Sequence, residues 1–369
     1  ATITIADHKG PVYLRFGRPS WPIFTNPDEK FEIGKAQKMI SGTDVTIIAY
    51  GHMVWKSIEA ETILQAEGIS VEVINMHTIK PLDEKILKQT KKDKVVIVSA
   101  RRTPMGSAQG SLASVKAFEL GVKVVKKNLD ETKVNTKDIN EIIMGCVLPA
   151  GIGQAPARQV SIGANIPYDV GATTVNKMCG SGMKSVMIGN DSIISGSNKI
   201  VIAGGLESMS NAPYILPKVR EGLRMGDSTI KDHMFIDGLE DAYDEGKLMG
   251  HFAEDTAEHY QFTREQQDKF ALKSHEKALA AQKNGTFTDQ IVPIDIEEVY
   301  VDDNGKKATR TYTVDRDEGP RADTSLEALA KLRPVFANNG SVTAGNSSQT
   351  SDGAAVLLMM TEDRVKNRN

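Results

Sequence analysis

The spacing of hydrophobic positions changes repeatedly along the chain. Residues 45–50 are a short β-branched apolar run, which predicts a buried strand. Residues 53–68, MVWKSIEAETILQAEG, place apolar side chains at helical spacing and end in Gly, which predicts a helix with its C-terminal cap. A second strand at 70–77, a second helix at 82–92 and a third strand at 94–100 complete a βαβαβ pattern. That order is the signature of a parallel sheet with crossover helices. The alternation continues with a helix over 112–130, a strand closing 139–148 and a small-residue helix over 155–166. A strand at 172–178, a helix at 180–196 and a strand at 199–205 follow. Residues 1–44 read as loop-rich, with Pro and Gly spread through GPVYLRFGRPSWPIF.

From about 214 to 340 the pattern turns polar. TREQQDKFALKSHEKALAAQKNG predicts a solvated helix, and DIEEVYVDDNGKKATRTYTVD predicts exposed charged strands. This stretch reads as an insertion or cap on the α/β scaffold. An apolar strand returns at 353–361, followed by a charged tail. Residue 1 is Ala and a sheet strand stands just before the last residues, so the sequence reads as cut at both ends.

The chain has 369 residues, room for two or three domains. A net charge of −3 with both signs interspersed supports neither nucleic acid nor an anionic membrane surface as partner. No apolar run approaches the roughly 20 residues of a membrane span, and the N-terminus lacks a basic-then-apolar signal. With only Cys146 and Cys179, a disulfide framework is not expected, and a reducing cytoplasm is the expected compartment.

Cys179, in TTVNKMCGSGMKSV, follows an apolar strand and opens a helix whose first turn is Gly-Ser-Gly. A helix N-terminus carries partial positive charge and free N–H groups, and both favour the reactive thiolate. A strand-to-helix elbow of this kind suits a nucleophile. A small buried cysteine at a tight turn has the same local sequence, so both readings stand at this level. Cys146, inside IIMGCVLP, has no such elbow and reads as core. Glu207 and Ser208 follow a Gly-Gly break in VIAGGLESMS, either ending a strand or walling the cysteine's pocket.

Eight segments occur in order: VVIVSARRTPMGSAQGSLASV, PARQV, TTVNKMCGSGMKSV, IVIAGGLESMS, GKLMGHFAEDTAEHY, REQQDKFALKSHEKALAAQKNGTF, LAKLRPVF and TAGNSSQTSDGAAVLLMMTEDR. Together they resemble the thiolase family of acetyl-CoA acetyltransferases over residues 95–365. The resemblance implies that Cys179 is acylated. It implies coenzyme A contacts at Ala344 and Ser348, a basic residue near the nucleotide end at Arg321, and Phe336 along the channel. Met249 matches a pantetheine-pocket methionine, and Leu248 stands where many short-chain members carry His. Residues 1–94, with GPVYLRFGRP and FEIGKAQKMISGTDVTIIAYGH, resemble instead the C-terminal part of transketolases. That segment lacks the thiamine-site motifs of its family, and His52 is not expected to be catalytic. KKDKVVIV serves equally as a late transketolase strand and as the first thiolase strand, as expected of a chimera joined at a shared motif.

The expected architecture is α/β. A transketolase-like parallel unit occupies 1–94 and a thiolase N-terminal half 95–213. A loop or cap domain spans 214–340, and a return strand 341–369. The resemblance implies acyl-CoA as substrate, no separate cofactor or metal, and a homodimer or homotetramer, with 214–227 where a tetramerisation loop would lie. The family handles protons with a His in a GHP motif, a late second Cys, and a water-holding Asn in an NEAFA-like motif. None of the three motifs occurs in this sequence. His251, two residues after Met249, is the nearest substitute and reads as a helix cap. The chain is therefore expected to be inactive, or nearly so, by itself. The competing readings are a non-catalytic coenzyme A-binding fragment and a remnant of a thiamine-diphosphate enzyme.

Overall fold

VEVIN, residues 71–75, is buried at every position because it is the middle strand of its sheet. The computed structural model describes residues 2–14, 22–26, 29–89, 95–301 and 304–366. The chain divides into two compact units, 1–94 and 95–369.

The first unit holds a three-stranded sheet of β1 (Gln37–Ile40), β2 (Val45–Ala49) and β3 (Val71–Asn75), in the order β1-β3-β2. β2 runs parallel to β3, and β1 runs antiparallel to it. Helix α1 (His52–Ala66) makes the crossover, and α2 (Glu84–Gln89) follows β3. β1 and a short helix at Thr2–Ala6 lie in the stretch read as loop. QKMI is only four residues long and surrounded by Gly and polar residues, too short for its period to stand out. Glu72 is buried within β3, where its carboxylate pairs with Lys38 of β1 and accepts the Thr46 hydroxyl of β2, so one side chain ties the three strands together. Asp83 accepts the N–H groups of Ala36 (2.8 Å) and Ile86 (3.1 Å), and these hold its carboxyl below the usual range. The predicted helix end at 90–92 and residue 94 lie outside the described residues.

The expected third strand of that βαβαβ pattern, 94–100, does not join this sheet. β4 (Val95–Arg102) belongs to the second unit, whose sheet adds β5 (Glu141–Gly145), β6 (Gly171–Val175), β7 (Ile200–Ser208) and, at the end of the chain, Ser351–Thr361. That last strand, β10 in the numbering used below, runs antiparallel between β4 and β7. The order is β4-β10-β7-β5-β6, with β5 parallel to both β6 and β7. Nine register pairs join β10 to β7, so β4 is drawn into a sheet completed some 250 residues later. Pattern alone sees two strands in sequence and places them side by side; the long-range pairing overrides it.

Both faces of this sheet are covered, which is why its strands read as unbroken apolar runs. Ile142, Met144, Ile202, Leu358 and Met360 face one core cluster together with α3 (Ala117–Thr132) and α4 (Pro156–Gly163). Ile143, Val201, Ala203 and Met359 face the other, beneath α5 (Ser181–Ile194). α3 buries Ala117, Leu120, Gly121, Val124, Val125, Asn128 and Leu129, one continuous helical stripe. The outer side of α5 leaves Met183, Met187 and Ile194 exposed.

The polar stretch contains α6 (Met249–His259), α7 (Arg264–Lys283), the hairpin β8 (Ile294–Val301) and β9 (Lys307–Val314), and α8 (Leu326–Ala330). The hairpin is not the exposed charged ribbon its composition predicts. Ile294, Ile296 and Val314 are buried in the main cluster, with Tyr312 packed against them. Alternation explains this: the charged residues Asp295 and Glu297 fall on the other face. Among the described residues, no helix is long and apolar enough to cross a membrane.

Candidate active site

Cys179 lies between β6 and α5, on a turn that glycines press against the sheet. A methyl group on Gly145 would stand 2.4 Å from the Ser181 carbonyl carbon. One on Gly205 would meet the Gly182 Cα at 3.1 Å. The first turn of α5 therefore rests directly on the ends of β5 and β7. Glycine here admits backbone against backbone, a use of the Gly-rich pattern beyond access for a ligand.

Two hydroxyl and amide side chains shape the turn. Asn176 Oδ1 accepts the Met178 N–H at 2.9 Å. Ser181 Oγ accepts the Lys177 N–H at 2.9 Å and donates to the Met178 carbonyl at 2.5 Å. Between them Met178 takes the left-handed conformation, with φ +47°. The Cys179 side chain is exposed, immediately before the Gly180 N-cap of a 14-residue helix. The helix end contributes positive potential at the sulfur. Among the described residues, no side chain is hydrogen-bonded to that sulfur.

Cys146, just past the end of β5, is buried. Burial pushes its thiol up to about 12, and the neighbouring Glu207 carboxyl, 3.6 Å away, adds to the shift. Glu207 also accepts the Val147 N–H at 2.8 Å and the Leu148 N–H at 2.9 Å. Its burial raises its own pKa, against the pull of those two amides.

The residues expected around coenzyme A form a second cluster. Val335 N–H donates to the Val342 carbonyl at 3.0 Å, laying LRPVF beside VTAGNSS. Phe336 packs edge-on to His251 at 5.5 Å, and its ring fills the space a side chain at Gly250 would need. Glu254 of α6 accepts the N–H groups of Ser341 and Val342, each at 2.8 Å in its shorter contact. Partial burial acts to raise the Glu254 pKa, and these amides lower it on balance. Asp268 of α7 is buried and binds Arg264 and the Asn346 amide at 2.8 and 3.0 Å. Thus Leu248, Met249, Phe336 and Ala344 are gathered by α6 and the 341–348 loop. Leu248 and Phe336 are half-buried, while Met249, Ala344 and Ser348 are exposed. Arg321 is ion-paired with Asp323 at 3.1 Å and donates its backbone N–H to His275 Nδ1. Glu254, Asp268 and Asn176 were missed in the sequence, because a carboxylate on a polar helix or an Asn in a loop has no distinguishing local pattern.

Each imidazole of the polar stretch has a partner other than Cys179, although the His233 Nε2 is buried without one. His251 Nδ1 accepts the Leu248 N–H at 3.0 Å, which is a helix-capping role. His233 is buried and meets Asp237 at 2.6 Å, His275 receives Arg321, and His259 packs edge-on to Tyr260.

Comparison with known proteins adds three findings. The profile described as thiolase, N-terminal domain, matches residues 95–363, and that of transketolase, C-terminal domain, matches 34–133. The two overlap over 95–133, where β4 and α3 belong to the second unit. The acetyl-CoA acetyltransferases of Pseudomonas aeruginosa and Allochromatium vinosum are each 47% identical to the chain, covering 74% of it and 67% of their own lengths. A crystal structure of the Bacillus anthracis acetyl-CoA acetyltransferase superposes with a TM-score of 0.69 at 38% identity, over 74% of this chain and 67% of that one.

Proposed function

The chain belongs to the thiolase family of acyltransferases, with a transketolase-like segment ahead of it, and from this premise we propose that Cys179 accepts an acyl group from an acyl-CoA thioester. The 369 residues on their own hold that acyl group without completing a cycle. The observation that carries the reading is the geometry of Cys179: an exposed sulfur on a glycine-seated helix tip, to which no side chain of the described residues is hydrogen-bonded.

In the acylation step the Cys179 S–H gives up its proton to solvent water and the sulfur attacks the thioester carbonyl. A new carbon–sulfur bond forms, the bond to the coenzyme A sulfur breaks, and the departing thiolate takes a proton from water. Positive potential at the N-terminus of α5 stabilises both the attacking sulfur and the negative charge developing on the carbonyl oxygen. The cluster of Met249, Leu248, Phe336, Ala344 and Ser348 is the apolar and hydroxyl-bearing wall offered to the carrier arm. Arg321, at the surface, is the cation offered to its phosphates. The next step, condensation with a second acetyl-CoA, requires removal of a proton from a methyl group. Missing a positioned general base costs about 10²–10⁴-fold, and a missing oxyanion donor about 10²–10³-fold more.

Incubation with acetyl-CoA followed by intact-mass and peptide analysis tests this. One acetyl group on Cys179, absent from Cys179→Ser, with no acetoacetyl-CoA formed, is the expected result. Steady turnover would overturn the reading of an incomplete cycle. Absence of any adduct would leave at most a coenzyme A-binding fragment.

A further inference from the structure

Met178 is the residue directly before the sulfur, and its φ of +47° is one that a non-glycine side chain adopts only at a cost. Asn176 supplies the compensating contact. Its Oδ1 takes the Met178 N–H at 2.9 Å, the side-chain-to-backbone turn for which Asn is suited. Its Nδ2 reaches back to the Val147 carbonyl at 3.5 Å. Val147 is in turn fixed, because its N–H and that of Leu148 are both held by Glu207 at the end of β7. The Cys146 N–H donates to the Val175 carbonyl at 3.0 Å, which pins the residue just before Asn176 to the same loop. A path of hydrogen bonds therefore runs from β7, through the loop after β5, to the residue preceding Cys179.

We propose that Asn176 is a positioning residue for Cys179: it holds Met178 left-handed and so keeps the sulfur on the helix tip. The inference rests on the reading of Cys179 as the acylated sulfur, and it concerns how that sulfur is presented. Asn176 touches neither substrate nor the reacting atoms in this account. Its effect runs through the backbone of residue 178.

The strain gives the test its logic. If Asn176 acts by stabilising a left-handed Met178, a glycine at 178 makes Asn176 dispensable, since glycine adopts that φ freely. The measurement is the second-order rate of Cys179 alkylation by iodoacetamide in the full chain, read by peptide mass, with buried Cys146 as an internal report on the fold. Asn176→Ala slows Cys179 about fivefold, the equivalent of one hydrogen bond worth about 1 kcal/mol. Asn176→Ser, which keeps a weaker acceptor, falls between. Adding Met178→Gly to Asn176→Ala returns the rate to within about twofold of the parent. Equal rates across the series, or no recovery in the double variant, would overturn the proposal. A parallel incubation with acetyl-CoA separates the two readings. If the parent takes no acetyl group while the alkylation order holds, the acyl-acceptor reading fails and the positioning role stands. If the parent is acetylated and the alkylation rates do not differ, the positioning role alone fails.

Discussion

β5 and β6 are neighbouring parallel strands, and each leads the chain to a cysteine with a different fate. After β5 the chain turns at once beneath Glu207, and Cys146 is buried with its thiol pushed up to about 12 by burial and the adjacent carboxyl. After β6 it makes a left-handed step at Met178 and enters α5, and Cys179 is exposed at a positive helix end. The same functional group is an inert filler in one place and a nucleophile's candidate in the other. What differs is the field and the solvent around it: a half-buried carboxyl against one sulfur, a helix N-terminus against the other. Residue type names the chemistry, and the backbone after the strand decides whether it is available.

The largest expected effect is complete: Cys179→Ser abolishes the acetyl adduct, whereas Cys146→Ala leaves it in place, read by intact mass. Next, in the parent chain at pH 8, Cys179 alkylates at least about 100-fold faster than Cys146. A thiol held near 12 is almost wholly protonated at that pH. Comparable labelling of both sulfurs in a chain that has not unfolded would break the contrast.

Gly145→Ala attacks the seat of the elbow. The added methyl has backbone at 2.4 Å, so the expected loss is about 2–3 kcal/mol of stability, measured by denaturant unfolding, with slower Cys179 labelling. Glu254→Gln sharpens the second cluster. Its carboxyl is held low in the folded chain, so the stability it contributes is present at neutral pH and is lost as pH falls through that lowered value. The parent's melting temperature therefore drops more steeply than the variant's below pH 5, with a gap at pH 7 of roughly 1 kcal/mol. Smallest is Arg321→Ala. Its pair with Asp323 is solvent-exposed and screened, so the unfolding midpoint is unchanged, and only the rate of acetyl transfer from acetyl-CoA slows.

The elements of the second unit were legible because long apolar runs bounded by glycine have few alternatives. β5, β6, α5 and β7 each overlap the segment in which the pattern predicts them. The elbow around Cys179 was legible too, since strand, Cys and Gly-Ser-Gly are contiguous. The ownership of β4 was not, because a strand's neighbour is chosen by residues at 351–361 rather than by its own composition. Nor was the inward face of the β8–β9 hairpin, where Ile294 and Ile296 alternate with acidic residues. Asn176 lay in plain view beside the cysteine, yet its partner Val147 and that residue's anchor Glu207 come from two other strand ends.

By itself the sequence determined which residues could be strand or helix, that Cys179 would stand at a strand-to-helix junction, and which family its ordered motifs resemble. Those properties depend on local period and contiguous residues. Tertiary structure alone decided that β4 pairs with the last strand, that Cys146 faces a carboxylate while Cys179 faces solvent, and that the imidazoles of the polar stretch take part in a cap, hydrogen bonds and ring packing. Each of those depends on which distant groups share a low-dielectric neighbourhood, and residues far apart in the chain carry no mark of it until the chain has folded.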